Sequence, residues 1–281
     1  MKRSIAFLLQ TNYIERVTTP VGWFAQYAGY DVIDRTSTED FDVMDCGVDW
    51  SQYDLVIPYG SIQFIRLFLE SPLGGYIPSD EQGYSADFWM EKFGALALNH
   101  GGLQMTAGDV LKHLESQGSA HVRPTSLDKA LIARLFTAES WQAHRAERHI
   151  PGDLDVFVSK PKVIECEYRC WVIEGKVFEI RGYMINGKVE TFPVDEPDIY
   201  AAAQTLADVY VPSNAVVMDM AKTPDGFKFL EFNRFHSSGW YGDTAFKIMG
   251  AYVDMLRRTF DRKVELSVTK RSRYDEDNLD L

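Results

Sequence analysis

Two periodicities divide this chain. Ser4 to Leu9 and Tyr53 to Pro58 are short, unbroken apolar runs and read as strands buried on both faces. Between them Pro20 is placed to open a helix predicted through Ala28, with Trp23, Phe24 and Tyr27 at helical spacing. Tyr59-Gly60-Ser61 then leads into Ile62 to Leu69, whose apolar spacing is again helical. Strand, glycine-containing turn and helix make an open α/β layer, assigned to residues 1–85. Residues 72–87, rich in Gly, Pro, Ser and Tyr, read as a loop or linker.

A smaller α+β segment follows over 86–160. Thr106 with Asp109 resembles a capping box for a helix from Val110 to Gln117. Ala120 to Arg123 is a strand stopped by Pro124. Residues 127–148 carry helical periodicity, and Val156 to Ser159 is another apolar strand. The segment 161–265 alternates instead. Val163 to Ile173 and Val177 to Ile185 are strands around a Gly175-Lys176 turn, and Asn186-Gly187 signals a further hairpin. Asp198 to Tyr210 is an alanine-rich helix. Val216 to Met220 and Phe227 to Phe232 are strands joined through Pro224-Asp225-Gly226, and Thr244 to Phe260 is a closing helix. Residues 266–281 are charged, without apolar periodicity, and are expected to be a flexible tail.

Composition narrows the class. With 281 residues, 46% hydrophobic and 25% charged, the chain is long enough for two or three packed subdomains. Its apolar runs fall far short of the roughly 20 residues a bilayer span needs, and no cleavable leader follows Lys2-Arg3. A net charge of −12 disfavours phosphate backbones, so nucleic acid and membrane are not expected partners. Three cysteines argue against a disulfide framework and for the cytoplasm. Cys166 and Cys170 would share a strand face, but two further zinc ligands are missing.

Three groups of residues carry candidate chemistry. Period two puts Glu231 and Asn233 on one face of a strand, and the preceding strand returns Asp219 to nearly the same register. Two carboxylates and an amide can hold Mg²⁺, or they can simply mark a solvent face. Glu167, Arg169 and Trp171 likewise share a face beside Glu179, Arg181 and Tyr183. That face is either a solvated ion-pair surface or the wall of an anion-binding cleft. Arg123, ending a strand, and Lys129 after it can reach a phosphate chain. There is no Walker loop and no Rossmann glycine fingerprint.

The order of these groups resembles the ATP-grasp superfamily. It is most similar to a small, often phage-borne clade named for one arginine and two lysines. The phrases that carry the resemblance are Pro58-Tyr59-Gly60-Ser61, Arg123-Pro124 with Lys129, and Glu167-Tyr168-Arg169. Glu231-Phe232-Asn233, followed by Ser238-Gly239-Trp240-Tyr241, completes the set. The resemblance implies an α/β (α+β) ATP-grasp fold whose central and C-terminal subdomains grip ATP between two antiparallel sheets. It implies ATP and Mg²⁺ as cofactors. Arg123 and Lys129 would contact the phosphates, with Lys160 and Lys162 as substitutes for Lys129. The backbone of Val156, Phe157, Val158 and Ser159 would bind adenine, and Glu167 would sit near ribose or metal. Asp219, Glu231 and Asn233 would hold Mg²⁺, while Arg169 and Arg181 would be catalytic at the γ-phosphate. The implied activity is carboxylate–amine ligation through an acyl phosphate, on an amino acid, peptide or protein end. The alternatives are an ATP-dependent phosphotransferase and a non-catalytic ATP-binding accessory protein. His236, beside the metal strand, is a candidate general base or a structural histidine.

Overall fold

The computed structural model describes residues 4–36, 47–69, 80–125 and 131–276. The chain divides into two compact units, residues 1–77 with 234–281, and residues 78–233.

The first unit is built on a parallel sheet in the order β2-β1-β3, with β1 (Ile5–Gln10), β2 (Asp31–Arg35) and β3 (Leu55–Tyr59). Every residue of β1 and β3 is buried, as the unbroken apolar runs predict. Helix α1 (Glu15–Tyr27) begins a turn and more before Pro20. Pro20 therefore lies inside the helix and removes the ladder bond to the carbonyl of Arg16. Burial of Val17, Val21, Phe24 and Ala25 offsets that loss. Trp23 and Tyr27, expected on the apolar stripe, face solvent instead. Helix α2 (Ile62–Leu69) falls where the periodicity places it, and Phe64, Ile65 and Phe68 join Ala6, Leu8 and Val56 in one core.

The second unit contains two antiparallel sheets among the described residues. Its elements begin with α3 (Ala86–Phe93), β4 (Leu103–Thr106), α4 (Val110–Gln117), β5 (Ser119–Pro124), β6 (Arg134–Thr137), α5 (Ala138–Arg148) and β7 (Asp155–Ser159). They continue with β8 (Cys166–Ile173), β9 (Lys176–Ile185), β10 (Lys188–Pro193), α6 (Pro197–Val209), β11 (Ala215–Thr223) and β12 (Gly226–Arg234). The smaller sheet runs β4-β7-β5-β6 and the larger β10-β9-β8-β11-β12. Helices α4 and α5 cover the smaller sheet through Val110, Leu114 and Trp141, joined by Ile150 just beyond α5. Helices α3 and α6 cover one face of the larger sheet through Trp89, Phe93, Ala203 and Leu206.

Several local readings change. Ala86 already opens α3 inside the segment read as a linker, and residues 70–79 of that segment lie outside the described ones. The helix read over 127–148 begins only at Ala138. Before it, β6 is an edge strand too short to show alternation, and Phe136 is its one buried side chain. The Thr106–Asp109 capping box does not form: the Thr106 hydroxyl donates to the Asp109 carboxylate at 2.7 Å, and that carboxylate caps no backbone amide. The β8–β9 turn is Glu174-Gly175, both at positive φ, one residue earlier than read. Asn186-Gly187, with φ of 48° and 75°, makes the predicted hairpin turn into β10. The closing helix, α7 (Ala245–Glu276), runs on through much of the segment read as a tail.

Candidate active site

The site face of the larger sheet is the one turned away from its helices. Cys166, Tyr168 and Cys170 point into the apolar core, so Glu167 and Arg169 point the other way. Both cysteines are free and buried there, and no group of three His, Cys, Asp or Glu suited to a metal occurs among the described residues. Arg169 stands opposite Arg181 on β9 and Asp219 on β11. It holds Asp219 in a fork, Nε to Oδ1 at 2.9 Å and Nη2 to Oδ2 at 2.8 Å. Asp219 is 2% exposed, and burial pushes its carboxyl up against the opposing pull of Arg169. Arg181 pairs with Glu179 at 3.4 Å and stays outside the cleft lining.

A bulge in β9 brings Tyr183 beside Glu167: Glu167 pairs with Met184, yet Tyr168 pairs with Gly182. The Tyr183 hydroxyl donates to Glu167 Oε2. Burial raises the Glu167 carboxyl, the Tyr183 bond lowers it, and the nearby Asp219 and Glu231 charges raise it further. Beside the bulge, Gly182 makes room for Phe192 of β10, since a Cβ there would lie 1.9 Å from the ring.

Strand β12 supplies Glu231 and Asn233. Phe229 and Phe232 both enter the core, so the alternation slips by one between them. Leu230 and Glu231 consequently both line the cleft. The Asn233 amide donates to Asp219 at 3.0 Å and to Glu231 at 3.4 Å, bridging the two carboxylates. The three candidate metal ligands therefore converge on one face. Arg123, from β5 in the other sheet, reaches Glu231 Oε2 at 3.0 Å and lies over the Trp89 ring. Its Nε is buried with no hydrogen-bond partner among the described residues, a donor suited to a phosphate oxygen.

Between the sheets is a cleft of about 400 Å³, lined in part by Arg123, Glu167, Tyr183, Asp219 and Glu231. The adenine reading of β7 needs correction. Val156, Phe157 and Val158 are paired with β4 on one side and β5 on the other, so the ladders take up their backbone groups. Ser159 is paired on the β5 side, and its hydroxyl donates to Asn99. Lys160, Pro161, Lys162 and Ile164, just after β7, line the cleft instead. Lys129 lies outside the described residues. His121 also lines the cleft, and burial together with the Arg123 charge takes its pKa down to about 4. Neither His121 nor Tyr183 was assigned a role from the sequence, although both flank assigned residues at a spacing of two.

His236 belongs to the first unit. It is 4% exposed, is hydrogen-bonded to Tyr252, and is held to a pKa of about 3 chiefly by burial. That environment makes it structural rather than a base. Two phrases that carried the resemblance meet in this unit: the Tyr59 hydroxyl donates to the Ser238 carbonyl at 2.9 Å, and Tyr59 stacks on Trp240.

Two antiparallel sheets enclosing a cleft of converging carboxylates and arginines form the ATP-grasp fold, and solved structures share it. The chain is similar to D-alanine–D-alanine ligase from Bacillus anthracis in complex with ATP, with a TM-score of 0.64 at 12% identity over 94% of this chain and 100% of that one. ATP-grasp ligase PsnB complexed with a minimal precursor gives a TM-score of 0.58 at 15% identity, over 91% and 99% of the two chains. D-cycloserine synthetase DcsG gives 0.58 at 14%, over 90% and 99%. No curated protein matches the sequence. The sequence profile of the ATP-grasp domain, R2K clade family 3, matches residues 108–256, more than half of the chain, and the protein belongs to that family.

Proposed function

We propose that the protein is an ATP-dependent carboxylate–amine ligase. The observation that carries this reading is the convergence of Asp219, Glu231 and Asn233 beside Arg123 in one cleft. Mg²⁺ is commonly held by one or two carboxylates together with substrate phosphates, and this oxygen-rich set fits that habit. Asp219, Glu231 and Asn233 would hold the ion, which when bound neutralises phosphate charge. Arg123 and either Lys160 or Lys162, or Lys129, bind the triphosphate. The Lys160–Ile164 segment takes the base, and Glu167, oriented by Tyr183, takes the ribose or the metal. Arg169 fixes Asp219 and supplies positive charge beside it, whereas Arg181, paired with Glu179 outside the cleft lining, takes no direct part.

In the proposed reaction a carboxylate oxygen of the donor substrate attacks the γ-phosphorus, and ADP leaves with the electron pair of the broken P–O bond. The amine nitrogen of the acceptor then attacks the acyl carbon, inorganic phosphate departs, and the nitrogen releases a proton to solvent. The protein's part is positioning and charge neutralisation. The similarity to a D-alanine–D-alanine ligase and to a ligase complexed with a precursor peptide favours an amino acid or peptide end as substrate. Dependence on ATP and free, buried cysteines favour the cytoplasm. Among the described residues no helix is long and apolar enough to cross a membrane.

The test is an ADP-release screen against amino acids and short peptides, with mass spectrometry of the products. Release that requires an added amine, with a product lighter by one water than the two substrates together, is expected. A phosphorylated product formed without amine would replace this reading with a phosphotransferase. ATP binding without ADP release would replace it with an accessory protein.

A further inference from the structure

Arg123 and Glu231 come from different sheets of the second unit and meet across its cleft. The contact is a charge-assisted hydrogen bond of 3.0 Å, with the guanidinium seated on Trp89 at 4.5 Å from the ring centre. Arg123 is 9% exposed, whereas the Glu231 side chain keeps 37% of its surface. The proposed function assigns these two side chains to opposite halves of one ligand, the arginine to a triphosphate and the glutamate to a divalent cation. Across the cleft the two side chains neutralise each other through the Nη2–Oε2 contact.

We infer that the Arg123–Glu231 pair makes the cleft selective for the metal–nucleotide complex over either component alone. A free triphosphate that captures Arg123 strips Glu231 of its counter-charge. The bared carboxylate then faces the phosphates, with Asp219 close by. A lone divalent cation that captures Glu231 leaves Arg123 unpaired beside another positive charge. Only the complex gives both side chains a new partner in the same event. Each half-ligand therefore leaves one charge of the opened pair uncompensated, and the complex leaves neither. Arg169 cannot take over for Arg123, because its fork is already closed on Asp219.

This inference rests on the proposed function, and the experiment separates the two. Calorimetry measures ATP binding with Mg²⁺ and in EDTA for wild type, Glu231→Gln, Arg123→Gln and the double variant. Electron paramagnetic resonance measures Mn²⁺ binding without nucleotide. Melting curves confirm folding of each variant. Glu231→Gln is expected to bind metal-free ATP about threefold more tightly than wild type, the scale of a partly exposed ion pair, while binding Mg-ATP more weakly. Arg123→Gln is expected to bind nucleotide-free Mn²⁺ more tightly. In the Arg123→Gln background the Glu231→Gln effect on metal-free ATP should shrink to the carboxylate–phosphate repulsion alone, whereas a general loss of negative charge would leave it unchanged. Half-ligand binding that is unchanged or weaker in both single variants would overturn the selectivity. Wild-type protein that binds no Mg-ATP would overturn the proposed function itself.

Discussion

Arg169 and Asp219 sit directly opposite each other on β8 and β11, and the guanidinium closes on both carboxylate oxygens. Their side chains are 12% and 3% exposed, so this is a desolvated pair. Removing one member strands a buried charge, which typically costs about 3–5 kcal/mol. Arg169→Met should lower stability on that scale in urea denaturation. Arg169→Met with Asp219→Leu should recover much of the loss while remaining without ATP turnover. A single variant as stable as wild type would show that the pair contributes nothing to the fold.

Glu231 is placed differently, half open to the cleft and screened by solvent. Glu231→Gln keeps its size, so stability should change by no more than about 1 kcal/mol. ATP turnover should fall by about a hundredfold or more, the scale of one lost electrostatic stabiliser, with partial recovery in excess Mg²⁺. Normal turnover in a folded variant would remove Glu231 from the reaction.

Lys160 and Lys162 follow β7 and line the cleft. If one of them binds phosphate, its replacement by alanine should raise KM for ATP by about tenfold, the worth of a charge-assisted contact. The other should change KM little. Steady-state kinetics on both variants, with Lys129→Ala beside them, identifies the phosphate lysine.

His236 gives a pH signature. Its folded pKa is about 3, below the roughly 6.5 of an unfolded histidine. Above pH 6.5 neither state is charged and its contribution is intact. As pH falls from 6.5 toward 3, the unfolded chain takes up the proton and the folded chain does not. Stability should therefore drop with acidification, by up to about 1.4 kcal/mol per pH unit from this group. His236→Gln should flatten that part of the melting-temperature profile. An unaltered profile would mean that His236 is not buried neutral.

Gly182 is crowded by Phe192, whose ring occupies the space of a Cβ. Gly182→Ala should destabilise by about 1–3 kcal/mol through overpacking, and Phe192→Ala in the same chain should restore part of it. Equal stability of Gly182→Ala and wild type in denaturant titrations would show that the ring yields freely.

Much of this was legible in the residues. Unbroken apolar runs marked β1 and β3, Asn186-Gly187 marked a hairpin, and the alternation in 219–233 brought the acidic residues to one face. The features missed are those where tertiary pairing overrides local pattern. Nothing in Val156–Ser159 shows that strands flank it on both sides, so its backbone looked available. Leu131, Ile132, Leu135 and Phe136 mimic a helical stripe, yet Arg134–Thr137 pairs with β5 as an edge strand. Pro20 looked like a helix start because proline is welcome in a first turn, but the core contacts of α1 carry the helix past it. The Arg123–Glu231 contact joins residues 108 positions apart and is written in no local spacing.

All three proposed metal ligands belong to the single hairpin β11–β12, between Asp219 and Asn233. Neighbouring strands joined by a short turn form contacts of low sequence separation, and such contacts carry little loop-closure entropy. The acidic half of the cleft can thus form early, once β8 brings Arg169 to Asp219, whereas its arginine from β5 arrives only once the two sheets have met. Mutational scars in the two halves should differ accordingly in the kinetics of refolding, the hairpin setting how fast the structure forms and the β5 contact how long it lasts.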